Sequence, residues 1–460
     1  MTSNLSMPPP REVERAIRLS YAQMMLNAVN NASTGGMFLI GFAMGLGADN
    51  VLLGLMSSLP QLFIVSQLLA AWMVERNISR RRLTIGFSFV PPLCWFLIAA
   101  IPFLGASAGR TLRFTILIGT ISLVTLAAQF VGNVRASWLG ELIPAERRGR
   151  FFGYCAMFAG VIGALFAIAE GRLLDIVRSH GLLAFTALFF FGSLFGLASA
   201  CLNIPQPDCP LPSAGRQLAF GKLVRETFRN RPLRRLALVH AVVALSGIAG
   251  PFMSAYCLRD VGLSFFQLGL LNSVGTAASL LAAPFWGKMV DRIGCRPILI
   301  IALTLMAPCG AIWLGIPPHS PHRALCLLPW TNFVAGFGGA GLGVALSTMM
   351  YTITKPEGRS VQFALYGIFI ALVAAPMPLL GGWLVSALET AGWHVDLRLT
   401  FYLWMVFIFS AALLAKRLQE PDSMSTRALV FHYLPQRVAG WFGVNPGSVG
   451  GDVDSLDKRG

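Results

Sequence analysis

The stretch GKMVDRIGCR at residues 287–296 decides how this chain is organised, because residues 71–80 repeat its pattern as AWMVERNISR. Both stretches place a small residue, an acidic residue and arginines at the same spacing, 216 positions apart. Each stretch begins where an apolar run ends, and each run is long enough to cross about 30 Å of hydrocarbon. The two stretches therefore mark equivalent points in an internal repeat.

Two further matches occur in the same order along the chain. The sequence LGLMSS at 53–58 corresponds to LGLLNS at 268–273, and a Gly-Arg pair at 149–150 corresponds to one at 358–359. Their offsets are 215 and 209 residues, close to the offset of the first match. Three matches in register predict two halves that are built on the same plan.

The composition places both halves in a membrane. Of 460 residues, 55% are hydrophobic and only 12% are charged, whereas about a quarter of the residues in soluble domains are charged. We expect an all-α integral membrane protein with twelve transmembrane helices in two pseudo-symmetric six-helix halves. The predicted spans are 21–46, 51–74, 83–104, 114–138, 151–171, 183–203, 236–257, 264–287, 298–316, 325–352, 360–387 and 399–415.

These spans divide the chain into five segments. The N-terminal half is 21–203 and the C-terminal half is 236–416. Between them, the proline- and arginine-rich segment 204–235 is expected to be a cytoplasmic linker. The remaining segments, 1–20 and 417–460, are expected to be a cytoplasmic N-terminal segment and a cytoplasmic tail, and neither resembles a signal peptide.

The distribution of basic residues predicts the orientation. The formal charge of +16 could indicate nucleic-acid binding. However, the segments on the side of the N-terminus hold 28 Lys and Arg residues, whereas the opposite loops hold seven. Because cytoplasmic loops carry an excess of Lys and Arg, both termini are predicted to be cytoplasmic. We expect a plasma-membrane protein, in bacteria an inner-membrane one, that contacts anionic lipids and binds no nucleic acid.

The stretch at 287–296 resembles the cytoplasmic signature of the major facilitator superfamily, placed between the second and third helices of a half. The copy at 71–80 is degraded, because Ala71 replaces the glycine and Glu75 replaces the aspartate. With the twelve-span repeat, the resemblance covers residues 21 to 416. It implies a set of gating residues on the cytoplasmic face. These are Ala71, Glu75, Arg76, Arg80, Gly287, Asp291, Arg292, Gly294 and Arg296.

The resemblance implies a secondary transporter that moves a small organic solute by alternating access, with two halves rocking around a central site. A monomer without a cofactor or a metal site is expected. An alternative from another class is a non-transporting membrane sensor or scaffold of the same fold. An enzyme is not expected, because the spans hold too few titratable groups for a catalytic cluster.

Polar residues within the spans are the candidates for a substrate cavity, because polar groups at bilayer depth are costly and usually functional. The candidates are Asn27, Asn31, Gln61, Gln129, Asn133, Arg135, His240, Asn272, Trp330 and Asn332. Trp330 could instead belong to an aromatic belt at the membrane surface. His240 could be a hydrogen-bonded packing residue.

Arg135 stands out, because it is the only basic residue within a predicted span, about one turn from its end. An arginine that faces the cavity with Gln129 and Asn133 would favour an anionic substrate, since its planar group binds two oxygens at once. Alternatively, Arg135 gates the cytoplasmic end by pairing with Glu141 or with lipid phosphate.

The acidic residues bear on energy coupling. Almost all of them lie in loops or tails; the exceptions are Glu141 at the inner end of the fourth span and Glu170 near the outer end of the fifth. No carboxylate lies at the centre of a span. We therefore expect facilitated diffusion or an unusual mode of coupling.

The predicted topology can be tested with single cysteines in a chain whose eight native cysteines are replaced. An impermeant thiol reagent added to intact cells should label a cysteine at Ser320 and leave one at Pro212 unlabelled, because the linker is expected in the cytoplasm. Labelling at 212 with protection at 320 would reverse the orientation.

Overall fold

Helices make up almost all of the structure. The computed structural model describes residues 10–76, 78–104, 109–208, 229–354, 359–391 and 396–418. No strand occurs within these ranges.

Twelve helical spans, α1 to α12, follow one another and overlap the twelve predicted spans. In the N-terminal half they are α1 (Pro10–Thr34 and Gly36–Gly45), α2 (Asn50–Leu62, Phe63–Val65 and Ser66–Glu75), α3 (Arg80–Ser88 and Val90–Ala100), α4 (Arg110–Leu142), α5 (Ala145–Ile176) and α6 (Leu182–Cys201). In the C-terminal half they are α7 (Arg231–Leu245, Ser246–Ala249, Gly250–Ala255 and Tyr256–Val261), α8 (Phe265–Ile293), α9 (Cys295–Met306 and Cys309–Leu314), α10 (Pro321–Ile353), α11 (Arg359–Ala374 and Pro376–Thr390) and α12 (Arg398–Ala415). The predicted twelve-helix fold is confirmed.

Eleven helices in the described ranges are long and apolar enough to cross a membrane. The first span is the exception, because its long first part (Pro10–Thr34) is polar and its apolar part (Gly36–Gly45) has only 10 residues. The interruption falls at Gly36, whose φ of +52° is a left-handed conformation that favours glycine. In α11 the interruption comes before Pro376, since proline lacks the N–H that would continue the helix.

The two ends of the bundle are packed differently. We call the end where α1 begins and α12 ends the terminal side, and the opposite end the distal side. On the distal side one apolar core joins both halves, and it includes Phe42 and Leu53 of the first half with Phe252 and Phe401 of the second. On the terminal side the halves have separate cores. The halves are therefore joined at the distal side and parted at the terminal side.

Glycines allow the halves to meet closely where α2 crosses α11. A Cβ on Gly54 of α2 would overlap the carbonyl oxygen of Pro378 on α11, and a Cβ on Gly382 of α11 would overlap the carbonyl oxygen of Asn50 on α2. Small residues permit this backbone approach between membrane helices.

The crossing of α5 and α8 repeats this arrangement. A Cβ on Gly171 of α5 would lie 2.7 Å from the carbonyl oxygen of Phe265, and one on Gly269 of α8 would lie 2.9 Å from that of Ala167. Both distances are shorter than a normal contact. Each of the two crossings is thus closed by one glycine from each half.

Substitution at such a crossing should destabilise the protein. We expect Gly54→Ala to lower the thermal unfolding temperature of the purified protein, since overpacking costs about 1–3 kcal/mol. Gly119→Ala in α4 is the matched control, because a Cβ there would meet no heavy atom within 4 Å. Equal unfolding temperatures for the two variants would contradict the importance of the crossing.

Candidate substrate site

Arg135 lies on α4, about two turns before the helix ends at Leu142. Its Nη1 atom is 3.4 Å from the sulfur of Met24 on α1. Its Nε and Nη2 atoms are buried and have no hydrogen-bond partner in the described part of the chain. Because a guanidinium has five N–H donors and an unpaired buried donor costs free energy, the site lacks acceptors.

Aromatic and apolar side chains line the same end of the first half. Tyr21 of α1 stacks on Phe151 of α5 with ring centroids 5.4 Å apart, and meets Phe158 edge-on at 5.6 Å. Tyr21 and Met24 both pack against the terminal-side core of this half, which contains Cys155. The unpaired guanidinium thus lies beside an apolar, partly aromatic wall.

Gln129 and Asn133 do not extend the face of Arg135, contrary to the sequence expectation. Gln129 is directed toward α2, where its Nε2 donates to the carbonyl of Pro60 at 3.0 Å and its Oε1 accepts from Gln67 at 2.8 Å. Six residues further along an α-helix correspond to about 240° of rotation, so Arg135 is directed elsewhere, toward α1. Asn133, four residues after Gln129, shares the face of Gln129 instead.

Glu141 is the expected alternative partner of Arg135, and its side chain lies outside the described residues. Gln61, another candidate, is half-buried, and its Oε1 has no hydrogen-bond partner within the described ranges.

The asparagines of α1 divide between two faces. Asn30 is buried and its Nδ2 donates to the carbonyl of Gly192 on α6 at 2.9 Å. Asn31 is exposed, and Asn27, four residues earlier, is half-buried on the same face. Asn30 therefore fixes α1 to α6, while the face with Asn27 and Asn31 remains available to a solute.

His240 pairs across the second half with a residue that sequence reasoning missed. Its Nδ1 is 2.8 Å from the hydroxyl oxygen of Tyr366, which joins α7 to α11. A tyrosine within a predicted span was the available signal, because a buried Tyr hydroxyl usually requires a partner.

The other candidates of the second half lie on α8 and α10. The Nδ2 of Asn272 approaches the sulfur of Met37 on α1 at 4.0 Å, across the interface of the halves. Asn332 donates to the carbonyl of Leu328 in its own helix at 2.9 Å and packs against Gly275, one turn from Asn272 on α8. Trp330, by contrast, is 70% exposed and forms no ring contact in the described ranges.

Several gating candidates have defined positions. Gly294 joins α8 to α9 with a φ of +91°, and Arg296 donates to the carbonyl of Lys416 after α12 at 2.7 Å. Arg76 lies over the ring of Trp72 at 4.1 Å. Asp291 and Arg292 are exposed.

Gly287 does not make the close helix contact expected of a small residue, because a Cβ there would meet nothing within 4 Å. This follows from the separation of the halves on the terminal side. Arg80 is 6% exposed. The side chains of Ala71 and Glu75 lie outside the described residues.

A polar latch on the distal side was not predicted. Asp175, near the end of α5, accepts hydrogen bonds from the backbone N–H groups of Phe265 and Phe266 at 3.1 and 3.0 Å. Its carboxylate thus lies at the positive N-terminus of α8, a helix of the other half. Nearby, Arg259 of α7 donates to Asn50 of α2 at 3.1 Å. No sequence pattern predicts either contact, since both depend on how the halves meet.

These features define a class of protein. Twelve helices in two pseudo-symmetric halves, with polar side chains inside a largely apolar bundle, are the plan of a multi-pass membrane protein. The family model for the Major Facilitator Superfamily matches residues 236–432. This match covers most of the C-terminal half, so that part of the chain is similar to the major facilitator superfamily.

Solved structures share the fold over most of the chain. A mutant of the nucleoside transporter NupG has a TM-score of 0.67, covers 88% of this chain and 100% of its own, and is 12% identical. A bacterial homolog of the human lysosomal transporter Spinster, in an inward-facing and unoccupied conformation, has a TM-score of 0.66, covers 91% of this chain and 100% of its own, and is 16% identical.

Curated relatives match in part. Multidrug resistance protein MdtG of Salmonella dublin is 28% identical over 242 residues, which are 50% of this chain and 55% of MdtG. MdtH of Citrobacter koseri is 26% identical over 136 residues, 30% of this chain and 32% of MdtH. The matched part of the chain thus spans about half the length of MdtG and about a third of the length of MdtH. Their names describe transporters and not enzymes, in agreement with the sequence prediction.

Loss of the distal latch should loosen the distal side. With a single cysteine at Met37, which is 5% exposed, we expect Asp175→Asn to raise its labelling rate several-fold in purified protein, because a neutral amide interacts less well with a helix N-terminus. Asp49→Asn is the matched control: Asp49 also caps a helix, accepting from Leu52 at 2.8 Å, but within its own half. Equal labelling in both variants would rule out the latch.

Proposed function

We propose that this chain is a secondary transporter that carries a small organic solute across the membrane by alternating access, and that Arg135 binds an anionic group of the solute. The observation that carries the proposal is the buried Arg135 guanidinium, two of whose nitrogens lack acceptors in the described chain. A carboxylate or phosphate would supply two oxygens in the geometry that a guanidinium prefers.

The packing of the halves supports alternating access. A shared core on the distal side and separate cores on the terminal side correspond to a state that is open on the terminal side only. Rocking of the halves would open the distal core and bring the terminal-side cores together, as in carriers built from repeats. Since the terminal side is predicted to be cytoplasmic, the structure corresponds to an inward-facing state.

The surroundings of Arg135 limit the kind of solute. The neighbouring wall of Tyr21, Met24 and Phe158 is apolar and partly aromatic. Such a wall suits the body of an organic molecule, while the guanidinium fixes its charged end. An organic anion fits this combination better than a small inorganic ion, which would leave the apolar wall unused.

The comparisons support the transporter class without choosing the solute. The names of the similar proteins refer to multidrug resistance and to nucleosides. Drugs and nucleosides differ in chemistry, so the proposal of an anionic solute rests on Arg135 alone. A sensor or scaffold of the same fold would bind such an anion without moving it, and flux into proteoliposomes separates the two.

The anion site can be tested with purified protein and a panel of organic carboxylates and phosphates. A compound present at about 100 times its Kd should stabilise the wild type by about 2.7 kcal/mol. We expect Arg135→Lys to weaken binding several-fold, because lysine lacks the planar fork, and Arg135→Gln to weaken it further.

Two controls separate binding from gating. Glu141→Gln should leave affinity unchanged if Arg135 binds the solute, and Asp291→Asn should lower the transport rate while changing affinity only modestly. Unchanged affinity in both Arg135 variants would contradict the anion site. Binding without flux in the wild type would instead favour the sensor.

A further inference from the structure

Glu170 is a buried acid in the interior of the first half. It lies on α5 and is 4% exposed. Its Oε1 is 2.5 Å from the hydroxyl oxygen of Ser33 on α1, and its Oε2 is buried without a hydrogen-bond partner in the described part of the chain. The sequence places this acid near the outer end of the fifth predicted span. The tertiary structure buries it between helices.

The geometry around Ser33 indicates which atom carries a proton. The hydroxyl oxygen of Ser33 is 2.5 Å from Glu170 and 2.9 Å from the carbonyl oxygen of Val29, but a hydroxyl has one hydrogen to donate. A neutral carboxyl satisfies both contacts: Glu170 donates to Ser33, and Ser33 donates to Val29. An ionised Glu170 would be a buried anion with a single hydroxyl donor, which is costly.

No cation compensates a charge on Glu170 in the described ranges. On α6 (Leu182–Cys201) the only titratable residue is Cys201, at the far end. On α1 the nearest is Tyr21, twelve residues before Ser33 and so about 18 Å away along the helix.

The charged neighbours on α5 itself face the other half. Arg172 lies over the ring of Phe266 at 5.7 Å, and Asp175 is bound to the start of α8. The turn that follows α5 contains the exposed His180 and Arg178, whose side chain lies outside the described residues. In the described part of the chain, the carboxyl of Glu170 thus has no ionic partner.

Glu170 lines a cavity of about 630 Å³ between α5 and α6. The other lining residues are apolar, among them Leu173 and Phe191, except for the exposed His180 on the distal side.

The position of Ser33 connects this acid to the movement of the halves. Ser33 lies just before the interruption of α1 at Gly36. The segment that follows carries Phe38, whose ring stacks on Phe265 of α8 at 6.0 Å across the interface. A change in the charge of Glu170 would therefore affect α1 just before its interruption, next to the segment that packs against α8 on the distal side.

We propose that Glu170 binds and releases a proton during the transport cycle, and that it holds the proton in this terminal-open state. The inference rests on the proposed function and adds an energy source to it. Release of the proton leaves a buried charge, which favours a state in which Glu170 is hydrated. The sequence predicted facilitated diffusion or an unusual mode of coupling, because no carboxylate lies at the centre of a span. Glu170, near the end of α5, is instead an acid buried by neighbouring helices.

The experiment uses the single cysteine at Met37 in purified full-length protein, with protons as the ligand and no solute. In the wild type, the labelling rate should rise several-fold from acidic to alkaline pH, because deprotonation opens the distal side. Glu170→Gln, which imitates the neutral acid, should label slowly at every pH. Glu14→Gln is the control, since Glu14 is exposed and paired with Arg147. It should retain the wild-type response.

A second measurement identifies the proton directly. Infrared difference spectra between two pH values should contain the carbonyl band of a neutral carboxylic acid, and Glu170→Gln should lose it while keeping its helical signal. A folded Glu170→Gln protein with the wild-type pH response and the full band would overturn the proposal. Solute flux that does not depend on a pH gradient would also contradict proton binding at Glu170 but would agree with the proposed transport function. A pH-dependent movement of the distal side without solute flux would support proton binding at Glu170 and contradict the transport function.

Discussion

Four glycines govern how the two halves meet. Where α2 crosses α11 and α5 crosses α8, Gly54, Gly382, Gly171 and Gly269 bring backbone against backbone across the interface. Within the membrane no hydrophobic effect drives helices together, so close van der Waals packing has to do so. The shared distal core can form only because these crossings are tight.

Polar contacts join the halves on the distal side. Asp175 caps α8 from the other half, and Arg259 donates to Asn50. On the terminal side the halves part, and two buried nitrogens of the half-buried Arg135 have no acceptor in the described chain. An unsatisfied buried donor is costly, and a bound solute would repay that cost.

Arg135 and Glu170 occupy complementary places in the first half. Arg135 faces α1 at its terminal end, and Glu170 meets α1 at its central interruption. Both contact the polar first part of α1, which is interrupted before Gly36 and continues as an apolar segment in contact with the second half. Solute binding and proton release would therefore converge on α1. This offers a physical route for coupling, since the free energy of either event depends on how α1 packs.

The sequence by itself determined the helices and the repeat. Apolar length fixes where a chain must be helical in a membrane, because every backbone group has to be bonded internally, and the repeated stretches at 71–80 and 287–296 revealed two halves. It also singled out Arg135. Only the tertiary structure decided which polar residues meet: Gln129 turned to α2, Tyr366 joined His240, and Glu170 became buried. Helix periodicity gives the face of a residue, but the identity of the helix opposite that face depends on how twelve helices pack, and no local pattern encodes it.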